Sequence, residues 1–214
     1  MPKSVTTGPA VRRRLAAIQR RLLVARKAAG LSQEKLAGVL GVSSRSLRDW
    51  ERGYDIPGLA HLIDWARVLG FRLVLVELEA GPVLAPVSLG PGESLVEHEV
   101  GRMAVPLKVR REERGISQTD LGLIVGVTRS SLQRWEDRQQ IPVAVSLVSW
   151  ADRLGYTVGL MPFSGEVWSG SLEQVGQERG NTVGVHGVEG GGDDVQQPCA
   201  GCVACDEGEA QAEV

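Results

Sequence analysis

Residues 32–52 read SQEKLAGVLGVSSRSLRDWER, and residues 117–137 read SQTDLGLIVGVTRSSLQRWED. The two stretches lie 85 positions apart. That offset holds without a gap from Arg26/Arg111 through Gly30/Gly115, Gln33/Gln118, Leu36/Leu121, Gly41/Gly126, Ser46/Ser131, Trp50/Trp135, Glu51/Glu136, Pro57/Pro142, Trp65/Trp150 and Leu69/Leu154 to Gly70/Gly155. Chance does not keep such a register, so the chain carries two copies of one fold unit.

Within the first stretch, Ser32 is placed to cap a short helix over 33–40 whose Leu36, Ala37 and Leu40 face inward. Gly41 and Val42 make a turn. Ser43 caps the next helix, which runs to about Arg52 and buries Leu47 and Trp50. Two short helices joined this tightly need a small residue where their axes meet, a turn residue tolerant of strained angles and an apolar residue at each crossing. Ala37 or Gly122, Gly41 or Gly126, Val42 or Val127 and Leu47 or Leu132 supply these in the two copies.

Upstream, Val11, Leu15, Ile18, Leu22, Ala25 and Ala29 recur at spacings of four and three, the stripe of a helix that ends at Gly30. Arg12, Arg13, Arg14, Arg20 and Arg21 decorate its flanks, either as a solvated face or as a phosphate-contacting arm. Downstream, Pro57 suits the start of a fourth helix ending near Leu69. Residues 71–78, FRLVLVEL, then read as a strand. The second copy repeats the plan: a helix over 93–103, a first repeat helix opened by Pro106, helices from Gln118, Thr128 and Pro142, and a weaker strand over 156–163. Residues 1–9 and the Gly-rich, acidic stretch after Ser164 lack the apolar content for a core and are expected to be disordered. The expected division is 10–78 for the first domain, 79–102 for a linker, 103–163 for the second domain and 164–214 for the tail.

The net charge of −2 conceals an asymmetry. Residues 1–78 carry a net +8, residues 79–102 a net −3, residues 103–163 a net +2 and residues 164–214 a net −9. A basic first half with an acidic tail points to a polyanion partner, with the tail a competitor for the same surface. No run of 18 apolar residues occurs and the N-terminus has no apolar signal region, so a cytoplasmic protein with no membrane span is expected.

The pattern S-Q-x-x-L-A/G, G-V-S/T, S-L and W-E followed by I-P resembles the Cro/phage-repressor (XRE-type) helix-turn-helix family, over roughly 18–78 and again 103–163. The resemblance implies a mainly α protein of two tandem lambda-repressor-like domains, each with four to five helices and a C-terminal strand. It implies a sequence-specific regulator, a repressor, that binds double-stranded DNA with the third helix of each repeat in the major groove. Carried over position by position, Gln33 and Gln118 match the family's phosphate-contacting glutamine. Ser44, Arg45, Arg48 and Asp49, with Ser43 as cap, match its base-reading positions in the first copy. Arg129, Ser130, Gln133 and Arg134, with Thr128 as cap, match them in the second. Arginine can be bidentate to guanine and glutamine to adenine, which suits the assignment. Because these positions differ between copies, the half-sites are expected to differ. Arg26 with Glu51 and Arg111 with Glu136 match an internal salt bridge of the family, and the four matched tryptophans are expected in the core.

Two alternatives remain open at this point. The second repeat, with its lower charge and its Arg138-Gln-Gln140 loop in place of Gly53-Tyr-Asp55, suits an antitoxin-like or protein-interaction module. Cys199, Cys202 and Cys205 have a spacing that can hold a metal, but no fourth ligand stands at a recognised distance, so no metal or other cofactor is expected. No nucleophile elbow, phosphate loop or HExxH occurs, and an enzyme is not expected. The strands 71–78 and 156–163 either pair with each other inside one chain or join two chains, since an unpaired apolar strand edge invites association.

Overall fold

Serine, threonine and glycine punctuate the helices. The computed structural model describes residues 8–77, 80–83 and 91–162. The first repeat forms α1 (Pro9–Ala28), α2 (Gln33–Leu40), α3 (Ser44–Arg52) and α4 (Leu59–Val68), followed by β1 (Phe71–Glu77) and the short β2 (Gly81–Val83). The second forms α5 (Leu95–Glu113), α6 (Gln118–Val125), α7 (Arg129–Glu136), α8 (Ala144–Arg153) and β3 (Tyr156–Pro162). Of the stretch 1–9 expected to be disordered, Gly8 and Pro9 are ordered instead, as the N-cap and first residue of α1; residues 1–7 and the stretch after Ser164, with Cys199, Cys202 and Cys205, lie outside the described residues.

Each helix-turn-helix closes by the same local chemistry. Ser32 Oγ accepts from the Lys35 amide, and Ser43 Oγ from the Ser46 amide, giving α2 and α3 N-caps. Ser117 and Thr128 do the same for α6 and α7. Gly41 and Gly126 hold φ of 65° and 84° at the turn, a region closed to most L-residues, and so end the second helix of each pair.

Two local expectations change, and a third local feature goes beyond them. Pro57 and Pro142 precede their helices rather than open them: α4 and α8 start two residues later, with Gly58 and Val143 at the N-cap. Each proline is buried, while its successor, Gly58 or Val143, is exposed at the N-cap before the helix begins. Second, α5 does not start at Pro106. It begins at Leu95 behind a full capping box between Ser94 and Glu97, and runs unbroken through Pro106. Leu95 matches Ala10 under the repeat offset, so the first helices of the two repeats are of corresponding length. Third, Gly53 ends α3 at φ 72°, but the matched Arg138 takes φ 58°, a non-glycine in left-handed backbone. Arg138 is held there by an ion pair with Glu93 at 3.1 Å, and its side chain lies so close to Gly101 that a Cβ there would stand 2.8 Å from Arg138 Cδ.

The strands decide the architecture. The sheet order is β2-β1-β3, and β1 pairs antiparallel with β3 inside the chain, from Phe71↔Pro162 to Glu77↔Tyr156. At the centre Val74 pairs with Gly159, and these are matched positions of the two repeats. The flanking pairs exchange under the same offset: Phe71 matches Tyr156 and Pro162 matches Glu77. The repeats therefore meet about a pseudo-twofold axis, as two subunits of an isologous dimer would. Arg21 stacks over Phe71 at 5.1 Å and Arg110 over Tyr156 at 5.0 Å, so each repeat's first helix covers its own matched aromatic. One core runs through both repeats, from Leu15, Leu22 and Trp65 to Leu107, Leu132 and Trp150. Trp50 and Trp65 stack 6.2 Å apart, Trp135 and Trp150 6.1 Å apart, in the core positions expected of them.

Candidate nucleic-acid interface

A buried ion pair sets the third helix of each repeat. Arg26 on α1 holds Glu51 on α3 through two hydrogen bonds, Nε–Oε1 at 2.5 Å and Nη2–Oε2 at 2.9 Å, and its Nη1 donates to the Leu31 carbonyl. Arg111 holds Glu136 in the same way, at 2.6 and 2.9 Å, and donates to the Ile116 carbonyl. The hydrogen bond to Glu136 raises the Arg111 guanidinium above its ordinary value against the opposing effect of burial. Planar guanidinium and carboxylate fit only one mutual orientation, so the pair fixes the rotation of α3 and α7 about their axes.

With Leu47, Trp50 and Glu51 turned inward, the outward face of α3 is determined by helical geometry. Arg45 is 88% exposed and Arg48 is exposed, while Ser44 and Asp49 are half-buried. Asp49 stands 3.9 Å from Arg45 one turn away, so the acidic side chain on this face has a cation beside it. On α7, with Leu132, Trp135 and Glu136 inward, Arg129, Ser130, Gln133 and Arg134 are all exposed. The structure thus brings the expected reading residues onto one face of each helix.

The remaining expected site residues have work inside the protein. Ser43 and Thr128 cap their helices and their hydroxyls also meet Ser46 and Ser131 at 2.9 Å. Gln33 Nε2 donates to Glu51 Oε2 at 2.6 Å, and Gln118 Nε2 to Glu136 Oε2 at 2.8 Å. Each glutamine sits at the first position of the second helix, joined to the buried pair that orients the third. The arginine run divides: Arg12 and Arg13 are exposed, whereas Arg14 turns to Asp152 and Thr157 of the other repeat.

Sequence reasoning passes over Gln19. It is 3% exposed, and its amide donates to the carbonyls of Trp50 at 3.0 Å and Asp55 at 2.8 Å. It therefore pins the C-terminal end of α3 and the following loop to α1. A polar residue lying against the apolar stripe of Leu15, Ile18 and Leu22 is the signal that could have found it. The second repeat has Ala104 at the matched position, also buried.

The Cro/C1-type helix-turn-helix family matches the chain twice, over residues 22–76 and 107–160. The chain belongs to this family, one of DNA-binding regulators of the XRE type. Comparisons with curated proteins and with solved structures returned no match. Among the described residues no helix is long and apolar enough to cross a membrane.

Proposed function

We propose that the chain is a sequence-specific, cytoplasmic transcriptional repressor that reads the major groove of double-stranded DNA with α3 and α7. Gln33, Gln118 and the caps Ser43 and Thr128 position the helices against phosphate. Arg45, Arg48 and Asp49 with Ser44, and Arg129, Gln133 and Arg134 with Ser130, face the base edges. Helix-turn-helix dimers present two reading helices to half-sites about 34–36 Å apart. The observation that carries the proposal is the pairing of Val74 with Gly159, because it arranges the two repeats of one chain as such a dimer arranges two subunits. A pseudo-twofold axis makes the half-sites inverted, and unlike reading faces make them unlike in sequence.

Selection of bound duplexes from a random pool tests this. The expected product is one bipartite site with two different half-sites in inverted order, and affinity that falls linearly in log–log form as salt rises. Affinity indifferent to salt, or no enrichment of any sequence, would remove the reading.

A second reading, an antitoxin-like or protein-interaction module in which the second repeat no longer reads DNA, is favoured by one feature. Leu123 is 78% and Val143 62% exposed, where the first repeat has Gly38 and Gly58. Exposed apolar side chains suit a protein partner. Enrichment of a single half-site, unaffected by Arg129→Ala and Gln133→Ala, would establish this reading instead.

A further inference from the structure

The contacts flanking the central strand pair break the pseudo-twofold symmetry in charge. On one side, Arg14 of α1 meets Asp152 of α8 at 3.2 Å and donates to Thr157 of β3. The matched positions on the other side are Glu99 for Arg14, Arg67 for Asp152 and Arg72 for Thr157. There Glu99 of α5, only 2% exposed, meets Arg72 at 2.5 Å and Arg67 at 3.8 Å. Arg102, from Glu99's own helix, adds a contact at 3.5 Å. The first repeat thus presents a cation from its first helix and cations from its fourth helix and strand. The second presents an anion from its first helix, with an anion and a hydroxyl from the other two elements.

From this reversal we infer that the face is heterotypic: each repeat accepts the unlike repeat and rejects its own kind, so two copies of the chain do not associate through like repeats. Pairing two first repeats would set Arg14 against Arg67 and Arg72 at both ends of the interface. Pairing two second repeats would set Glu99 against Asp152 at both ends and strip a buried carboxylate of two of its cations. Like charges brought together, or a buried charge left without its partner, oppose closure strongly. The backbone register offers no such choice, since an isologous strand pair fits like and unlike repeats equally. The selection is therefore made by Arg14, Arg67, Arg72, Glu99 and Asp152, together with Arg110 of α5 and Glu77 of β1, which pair at 2.6 Å across the same face and have Ala25 and Pro162 at their matched positions. The inference stands whether or not the second repeat reads DNA.

Three variants of the full chain test it. In the first, the second repeat receives the residues of the first: Glu99→Arg, Arg102→Ala, Asp152→Arg and Thr157→Arg. In the second, the first repeat receives those of the second: Arg14→Glu, Ala17→Arg, Arg67→Asp and Arg72→Thr. The third carries all eight substitutions, so the faces are exchanged but remain unlike. Thermal unfolding is followed, with light scattering to give the mass. Either like-faced chain is expected to lose about 10 °C of its unfolding midpoint, or its cooperative transition altogether. The exchanged chain is expected to unfold within a few degrees of the wild type, and both of these to run as single chains. A like-faced chain as stable as the wild type would overturn the inference. So would an exchanged chain no better than the like-faced ones, because each side chain would then serve only its own site. A wild-type chain that dimerises by pairing like repeats through this face would overturn it as well.

Discussion

Gln33 donates its amide to Glu51 Oε2 at 2.6 Å, and Glu51 is held from its other side by Arg26. A residue at the start of the second helix, where a phosphate is expected, is thereby coupled to the buried carboxylate that orients the third. Gln118 and Glu136 repeat the arrangement at 2.8 Å. Orientation of the third helix and placement of the glutamine that opens the second are thus properties of one network.

Glu51→Ala leaves the Arg26 guanidinium buried without its carboxylate, and the fold is expected to lose about 3–5 kcal/mol. Urea unfolding monitored by tryptophan fluorescence reads this directly, since Trp50 and Trp65 lie in the same core. Glu136→Ala should cost a similar amount. A loss below ~1 kcal/mol at both positions would mean that the pairs do not hold the helices.

Arg45→Ala and Gln33→Ala should separate specificity from affinity. Arg45, 88% exposed on the outward face of α3, is expected to discriminate one base pair by about 1–3 kcal/mol. Its loss should relax preference at a single operator position in a binding titration over variant duplexes. Gln33→Ala should weaken every duplex alike, with a stability loss of about 1 kcal/mol from the broken bond to Glu51. If Arg45→Ala weakened all duplexes equally, its base-reading role would be wrong.

Gln19→Ala removes the donor for the Asp55 carbonyl and one of two donors to the Trp50 carbonyl, which also accepts from Gly53. About 1–3 kcal/mol of stability should go with it. Amide hydrogen exchange offers a sharper readout: protection should fall at the C-terminal end of α3 and in the loop after it. Unchanged protection there would show that the loop is held by other means.

Pro106 lies inside α5, where it removes the amide that would bond to the Arg102 carbonyl. An interior proline costs a helix about 3 kcal/mol, partly offset by about 0.4–1 kcal/mol through the restricted unfolded chain. Pro106→Ala is expected to stabilise the protein by up to about 2 kcal/mol in urea titrations. A destabilised variant would show instead that the proline is needed where it stands in α5.

The repeat, the caps and the inward faces of the short helices were legible because they depend on neighbours a few residues away. Ser43 caps Ser46, Gly41 takes the left-handed turn and Leu47 and Trp50 share a face for reasons contained in residues 41–50. Even Arg26 with Glu51 could be named from the resemblance. Pro106 misled for a related reason: a local preference to open a helix gave way to a capping box at Ser94 and to packing of Val100, Met103, Ala104 and Leu107 in the core.

The amino-acid sequence by itself determined that there are two helix-turn-helix units and which side chains each turns outward. Only the tertiary structure decided that β1 takes β3 as its partner, that Arg14 leaves the arginine run to meet Asp152, and that Gln19 reaches the Asp55 carbonyl. These contacts join residues 36 to 138 positions apart. No periodicity records them, because an arginine bound for solvent and one bound for an interface occupy the same kind of place on a helix. Their partner is set by which surfaces remain once each repeat has buried its own core.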